Sequence, residues 1–161
     1  MEDTAIVYYS LDGNTDHIAR RIAEKTGAKL IRLETKRAYP RKGFKKFFIG
    51  GRDALFGAQP ELKASLPDLA PFGNIVIGTP VWASRPAPAI NTFLRRAKLD
   101  GKRIALFACS GGGQAKTCLD KMQALLAGNE ILCRASFVSP ALKKGTVVDD
   151  AIDDIVSALS E

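Results

Sequence analysis

The chain has 161 residues, 46% apolar and 25% charged, the usage of a globular domain with a sizeable core, which excludes disorder. No apolar run approaches the ~20 residues of a bilayer span, the acidic start Met1-Glu2-Asp3-Thr4 lacks a secretory n-region, and three cysteines without paired spacing suit a reducing compartment. With 24 basic and 17 acidic residues the net charge is +7, and the expectation is one cytoplasmic domain over residues 1–161.

Thr4 to Tyr9 is a β-branched and aromatic run, as in a strand buried on both faces. Asn14 to Lys25 sets Ile18, Ile22 and Ala23 on one helical face, with Gly27 as terminator. Lys29–Leu33, Asn74–Gly78, Arg103–Ala108 and Glu130–Val138 read as further strands. Ala87–Ala97, Ala115–Ala127 and Thr146–Leu159 read as helices. Between lies an irregular basic insertion at about 34–72 with a short helix inside it. Such alternation implies an α/β fold, a three-layer doubly wound sheet of five parallel strands, for which 2-1-3-4-5 is one allowed order.

In such a sheet ligands bind beyond the carboxyl ends of the strands. After the first strand, Ser10-Leu11-Asp12-Gly13-Asn14-Thr15 offers hydroxyls, an amide and a helix N-terminus to an anion, without any Lys or Arg. The plainer reading is a helix cap formed by Ser10 or Asn14. After the third strand, Thr79-Pro80-Val81-Trp82 carries the only tryptophan, either a platform for a flat ring or a cap on the core. After the fourth, Ser110-Gly111-Gly112-Gly113 gives backbone that a ligand can approach closely, or a flexible turn. One histidine supports neither a serine triad nor a zinc cluster, so no catalytic side chain and no metal are expected.

Taken together the three loops resemble those of the flavodoxin-like FMN proteins of the short-chain type, over essentially the whole length. The most specific part is Tyr9 to Thr15, similar to the family's hydroxyl-x-x-Gly-Asn-Thr phosphate signature. The resemblance implies that Ser10, Leu11, Asp12, Gly13, Asn14 and Thr15 hold the FMN phosphate. By the same likeness Thr79, Pro80, Val81 and Trp82 line the isoalloxazine, and Ser110, Gly111, Gly112 and Gly113 contact its pyrimidine edge. It implies an FMN-dependent redox protein, either an electron carrier or a small NAD(P)H-dependent reductase, working with a redox partner protein or NAD(P)H. The rival reading is a module that keeps the fold, has lost the flavin and acts through its basic patch.

Two departures from the family matter. Electron-carrier flavodoxins are typically acidic, and they commonly keep a glycine whose peptide flips beside the flavin. Here no glycine stands between Thr79 and Lys98, so a weakly favoured one-electron state and a lean toward the reductase are expected. The charge excess is local: Lys36, Arg37, Arg41, Lys42, Lys45, Lys46 and Arg52 occur with no acidic residue from Thr35 to Arg52. That argues against a nucleic-acid binder and for an acidic partner at Lys36–Arg52, without stable membrane insertion. Within Arg41–Phe56, Phe44, Phe47 and Phe48 follow i, i+3, i+4 spacing. They are expected to cover a core edge; a membrane- or partner-touching helix, or a lid hinged at Gly50 and Gly51, are the other readings. The Trp82 loop or the phenylalanine segment would also serve as a homodimer face.

Overall fold

The computed structural model describes residues 3–143 and 145–161. Its elements are β1 (Thr4–Tyr8), α1 (Asn14–Thr26), β2 (Lys29–Arg32), α2 (Phe44–Leu55), β3 (Asn74–Trp82), β4 (Arg85–Pro86), α3 (Pro88–Arg96), β5 (Arg103–Ser110), α4 (Ala115–Ala124), β6 (Glu130–Val138) and α5 (Thr146–Ser160). The parallel strands lie in the order β2-β1-β3-β5-β6, and the two-residue β4 pairs antiparallel with β3. Once β4 is set aside this is the expected order, and the five long-strand positions are as read.

The period-two alternation of strands divides the core between the faces of the sheet. Val7, Ile75, Ile77, Ile104 and Leu106 face α3 and α4, meeting Ile90, Phe93 and Met122. Ile6, Tyr8, Val76 and Phe107 face α1 and α5, meeting Ile18, Ile22, Ile152 and Leu159. Each of these large side chains contributes about 1.5–3 kcal/mol by leaving water. Gly78 stands between Tyr8 and Phe107 in register. A Cβ there would fall 2.1 Å from Phe107 Cζ, so only glycine lets the Phe107 ring lie across the sheet and meet Phe137 edge-on. Gly27 closes α1 at φ 71°, its N–H donating to Ala23 O at 2.7 Å.

Two differences from the sequence reading bear on the site. The third and fourth strands run further than the apolar runs suggested, carrying Pro80, Val81, Trp82 and Ser110 as strand residues. Val81 and Trp82 are held there by pairing with Pro86 and Arg85. The second concerns α2: its phenylalanines do not cover a core edge. Phe44, Phe47 and Phe48 are exposed, and the residues turned to the body are Gly50 and Ala54. Gly50 and Gly51 lie inside the helix rather than at a hinge. Gly50 is there for close approach, since a Cβ on it would sit 3.1 Å from the Trp82 ring.

Candidate functional site

The carboxyl ends of β1, β3 and β5 open into a cleft of about 480 Å³, where a doubly wound sheet places its ligand. Ten of the fourteen residues proposed from the sequence line it: Ser10, Leu11, Asp12, Asn14, Thr15, Pro80, Val81, Trp82, Ser110 and Gly111. The other four are not on its wall. Gly13 supports the loop from behind, with φ 96° at the N-cap of α1 and its N–H donating to Ser10 Oγ at 3.2 Å. Thr79 is wholly buried; its hydroxyl donates to Pro80 O at 2.9 Å and accepts from Ala87 N–H at 2.9 Å, pinning the hairpin. Gly112 and Gly113 continue outward into solvent.

The α1 N-terminus carries no side-chain cap. Ser10 spends its oxygen on the loop and Asn14 Oδ1 accepts from Ala141 N–H at 3.1 Å, so the helix-cap reading of either residue is corrected. The first-turn N–H groups have no partner within a helix, and Asn14 and Thr15 of that turn line the cleft. Two buried hydroxyls line the same cleft. Among the described residues Thr15 Oγ1 and Ser110 Oγ are the buried side-chain oxygens without a well-formed hydrogen bond. Thr15 has only the Cys109 thiol beside it, a weak partner. Buried polar atoms in folded proteins are nearly always satisfied, and both of these lie on the cleft wall.

Side chains remote in sequence complete the walls. Lys46 of α2 reaches Asp12 Oδ2 at 2.6 Å, and Phe47 and Gly51 join the lining. Arg32 of β2 donates to Ser10 O at 3.0 Å. The loop thus gains two cations that its own sequence lacks. Asp16 anchors the same corner, accepting from Tyr8 Oη at 2.6 Å and from Arg20 Nε at 2.7 Å. Burial pushes the Asp16 carboxyl up, but the hydrogen bonds from Arg20 and Tyr8 outweigh it and hold the group below its ordinary value. Burial pushes the Cys109 thiol up to about 12, so at neutral pH this cleft residue is a protonated thiol and no nucleophile.

Backbone strain gathers at the same end of the sheet. Among the described residues the non-glycine positions with positive φ are Ala83, Ser84, Gln114 and Ser139. Ala83 and Ser139 line the cleft, and Ser84 Oγ donates to Gln114 Oε1 across its rim. Conformations of this kind persist where surrounding structure enforces them, commonly at ligand sites. Trp82 is partly buried, packed edge-on against Tyr9 and Tyr39 at centroid distances of 5.8 and 5.2 Å. It packs against the core and also lines the cleft.

The family model for flavodoxin matches residues 3–147. The chain belongs to the flavodoxin family. No curated protein sequence matches it. Among solved structures, this flavodoxin-family chain is similar to a flavoprotein of Lactobacillus acidophilus NCFM in complex with FMN, at 25% identity and TM-score 0.72, over 84% of this chain and 93% of that one. A Bacteroides eggerthii protein assigned to the flavoproteins aligns over 100% and 99% of the two chains, at 18% identity and TM-score 0.76. The two-electron reduced flavodoxin of Megasphaera elsdenii aligns over 96% of each chain, at 19% identity and TM-score 0.65; these last two likenesses speak for the fold.

Sequence reasoning missed Lys46, Phe47, Gly51, Ala83 and Ser139 as cleft residues; Cys109, which the sequence places beside the glycine loop, is both a buried core residue and part of the lining. For the α2 residues the basic, aromatic segment was the signal, and the lid reading came nearest. Ser139 follows β6, so the rule that looks beyond strand ends would have found it if applied to the last strand as well.

Proposed function

We propose that this protein binds FMN non-covalently in the cleft and passes electrons through it. The observation that carries the reading is the pair of buried hydroxyls without a well-formed hydrogen bond, Thr15 at the uncapped N-terminus of α1 and Ser110 at the end of β5, both on the cleft wall. That donor set fits a phosphate at one end and the polar edge of a ring at the other. Thr15, Ser10 and the first-turn N–H groups of α1 would hold the phosphate, with Arg32 adding positive potential from outside the loop and Lys46 offsetting the charge of Asp12. Trp82 and Val81 would line the ring system, and Ser110 and Gly111 its pyrimidine edge. Bound flavin supplies hydride and electron chemistry; the chain's residues bind it, orient it and shield it from water.

The chain's positive charge supports a small NAD(P)H-dependent reductase over a carrier. Its excess lies on α2 and the segment before it, beside the cleft, where it would draw in a polyanionic nucleotide. A steady-state assay with NADH or NADPH and a quinone separates the two, since a carrier turns over negligibly by itself. The primary test is the visible spectrum of purified protein after FMN addition and desalting. Retained bands near roughly 375 and 450 nm are expected. A colourless protein would overturn the reading and leave a flavin-free interaction module working through the basic patch.

A further inference from the structure

We propose that α2 is an interfacial helix that seats this protein reversibly on an anionic phospholipid surface. Phe44, Phe47 and Phe48 are 82%, 75% and 66% exposed, and Phe56, just past the helix, is 79% exposed. With Leu55 the three helical phenylalanines fall at i, i+3, i+4 and i+11, one stripe along the helix. Phe44 and Phe48 stack on each other at 6.1 Å, with no core beneath them. About a quarter turn round the helix, Gly50 and Ala54 are buried against the body. Single exposed apolar residues are ordinary in proteins, but a contiguous aromatic stripe marks an interaction surface.

Charge selects the occupant. Arg41 and Lys42 precede the stripe, Lys45 flanks it, and no acidic residue occurs from Thr35 to Arg52. Lys46 is occupied by Asp12 and Arg52 by Asp53, and neither is counted. A second copy of the chain joined about a two-fold axis through this face would set two such cationic patches against each other, which disfavours a homodimer here. The boundary between headgroups and acyl chains supplies both needs in one plane, anions for the lysines and arginines and hydrocarbon for the rings. A helix of 12 residues, about 18 Å long, lies in that plane rather than across it. Among the described residues no helix is long and apolar enough to cross a membrane. Phe47 also lines the cleft, so the test rests on Phe44 and Phe48, which lie outside the cleft lining.

The test is sedimentation of the full chain with vesicles of phosphatidylcholine alone or mixed with phosphatidylglycerol, followed by protein staining so that no flavin is needed. The expected result is pelleting with the anionic vesicles only, weakened about tenfold when salt is raised from roughly 0.1 M to 1 M. The Phe44→Ser/Phe48→Ser variant, with a circular dichroism melt like the parent's, should partition at least about tenfold less. Absence of pelleting with anionic vesicles at low salt overturns the proposal. So does a double variant that binds as well as the parent, which would mean that the cations act without the rings. Binding to soluble polyglutamate but not to vesicles would assign the face to an acidic protein. A parent dimer that the variant abolishes would assign it to a second copy.

Discussion

Burying a hydroxyl without a partner costs about 1–3 kcal/mol, and Thr15 bears that cost in the first turn of α1. Valine has nearly the same shape and no hydroxyl, so Thr15→Val removes the unsatisfied group while keeping the packing. The expected outcome is a split: the flavin-free protein melts at the same temperature or slightly higher, while FMN affinity falls about tenfold, the worth of a hydrogen bond to a charged acceptor. Calorimetric FMN titration and a thermal melt of the same preparation read the two halves. A lower melting temperature with unchanged affinity would make Thr15 a partner of Cys109 and nothing more. Ser110→Ala gives a parallel case at the other end of the cleft. The contrast with Thr79 is instructive: both of its hydrogen bonds are internal, so losing its hydroxyl should loosen the hairpin first.

At the scale of elements, the β3–β4 hairpin turns on two residues, Ala83 at φ 48° and Ser84 at φ 60°. Tight hairpin turns of this hand need positive φ at both positions and ordinarily use Asn-Gly. A residue with a Cβ in the left-handed region costs roughly 1–2 kcal/mol. Ala83→Gly relieves part of that strain and removes no hydrogen bond, so we expect about 0.5–1 kcal/mol of stabilisation. A rise of roughly 2–4 °C in melting temperature would match it; a fall would show that Ala83 packing outweighs the strain. The same lack of glycine underlies the expectation of a weakly favoured one-electron state, which a dominant, long-lived one-electron form in a redox titration would sink. The long elements were legible because β-branched runs and helical periodicity are local properties of the chain. Strand β4 was not, since Thr79-Pro80-Val81-Trp82 contains a proline and reads as loop until Arg85 and Pro86 supply the pairing. Nor was the facing of α2. Periodicity shows that one side is apolar but not which side docks, and here close approach to Trp82 needed Gly50 rather than phenylalanine. The cleft was read better than its walls: the residues after β1, β3 and β5 are contiguous in sequence, whereas Lys46 meets Asp12 across 34 positions.

For the whole molecule, burial of ionisable groups fixes the pH range over which the fold holds. All three cysteines and all three tyrosines have raised values. Burial carries Cys109, Cys118, Tyr8 and Tyr9 to about 12 and raises Tyr39 and Cys133 as well. In the unfolded chain thiols ionise near ~8.5 and phenols near ~10. Above those values the unfolded state has released protons that the folded state still holds, so stability falls as pH rises. The carboxylates act in the opposite sense. For Asp16 burial is outweighed by the hydrogen bonds from Arg20 and Tyr8, and Asp120 is held low by hydrogen bonds from Lys116 and Arg134. Their contribution is present above the ordinary carboxylate value and is lost only as pH drops below about 4. The urea midpoint should therefore hold level from about pH 5 to 8 and decline from about 8.5 upward, in two stages. Replacing Cys109, Cys118 and Cys133 by alanine lowers the plateau through the cavities left behind, yet it should delay the start of the alkaline decline toward about pH 10, where the tyrosines take over. The shape of the profile, not its height, is the readout. A parent midpoint unchanged to pH 10 would show that the thiols ionise as readily inside the core as outside it.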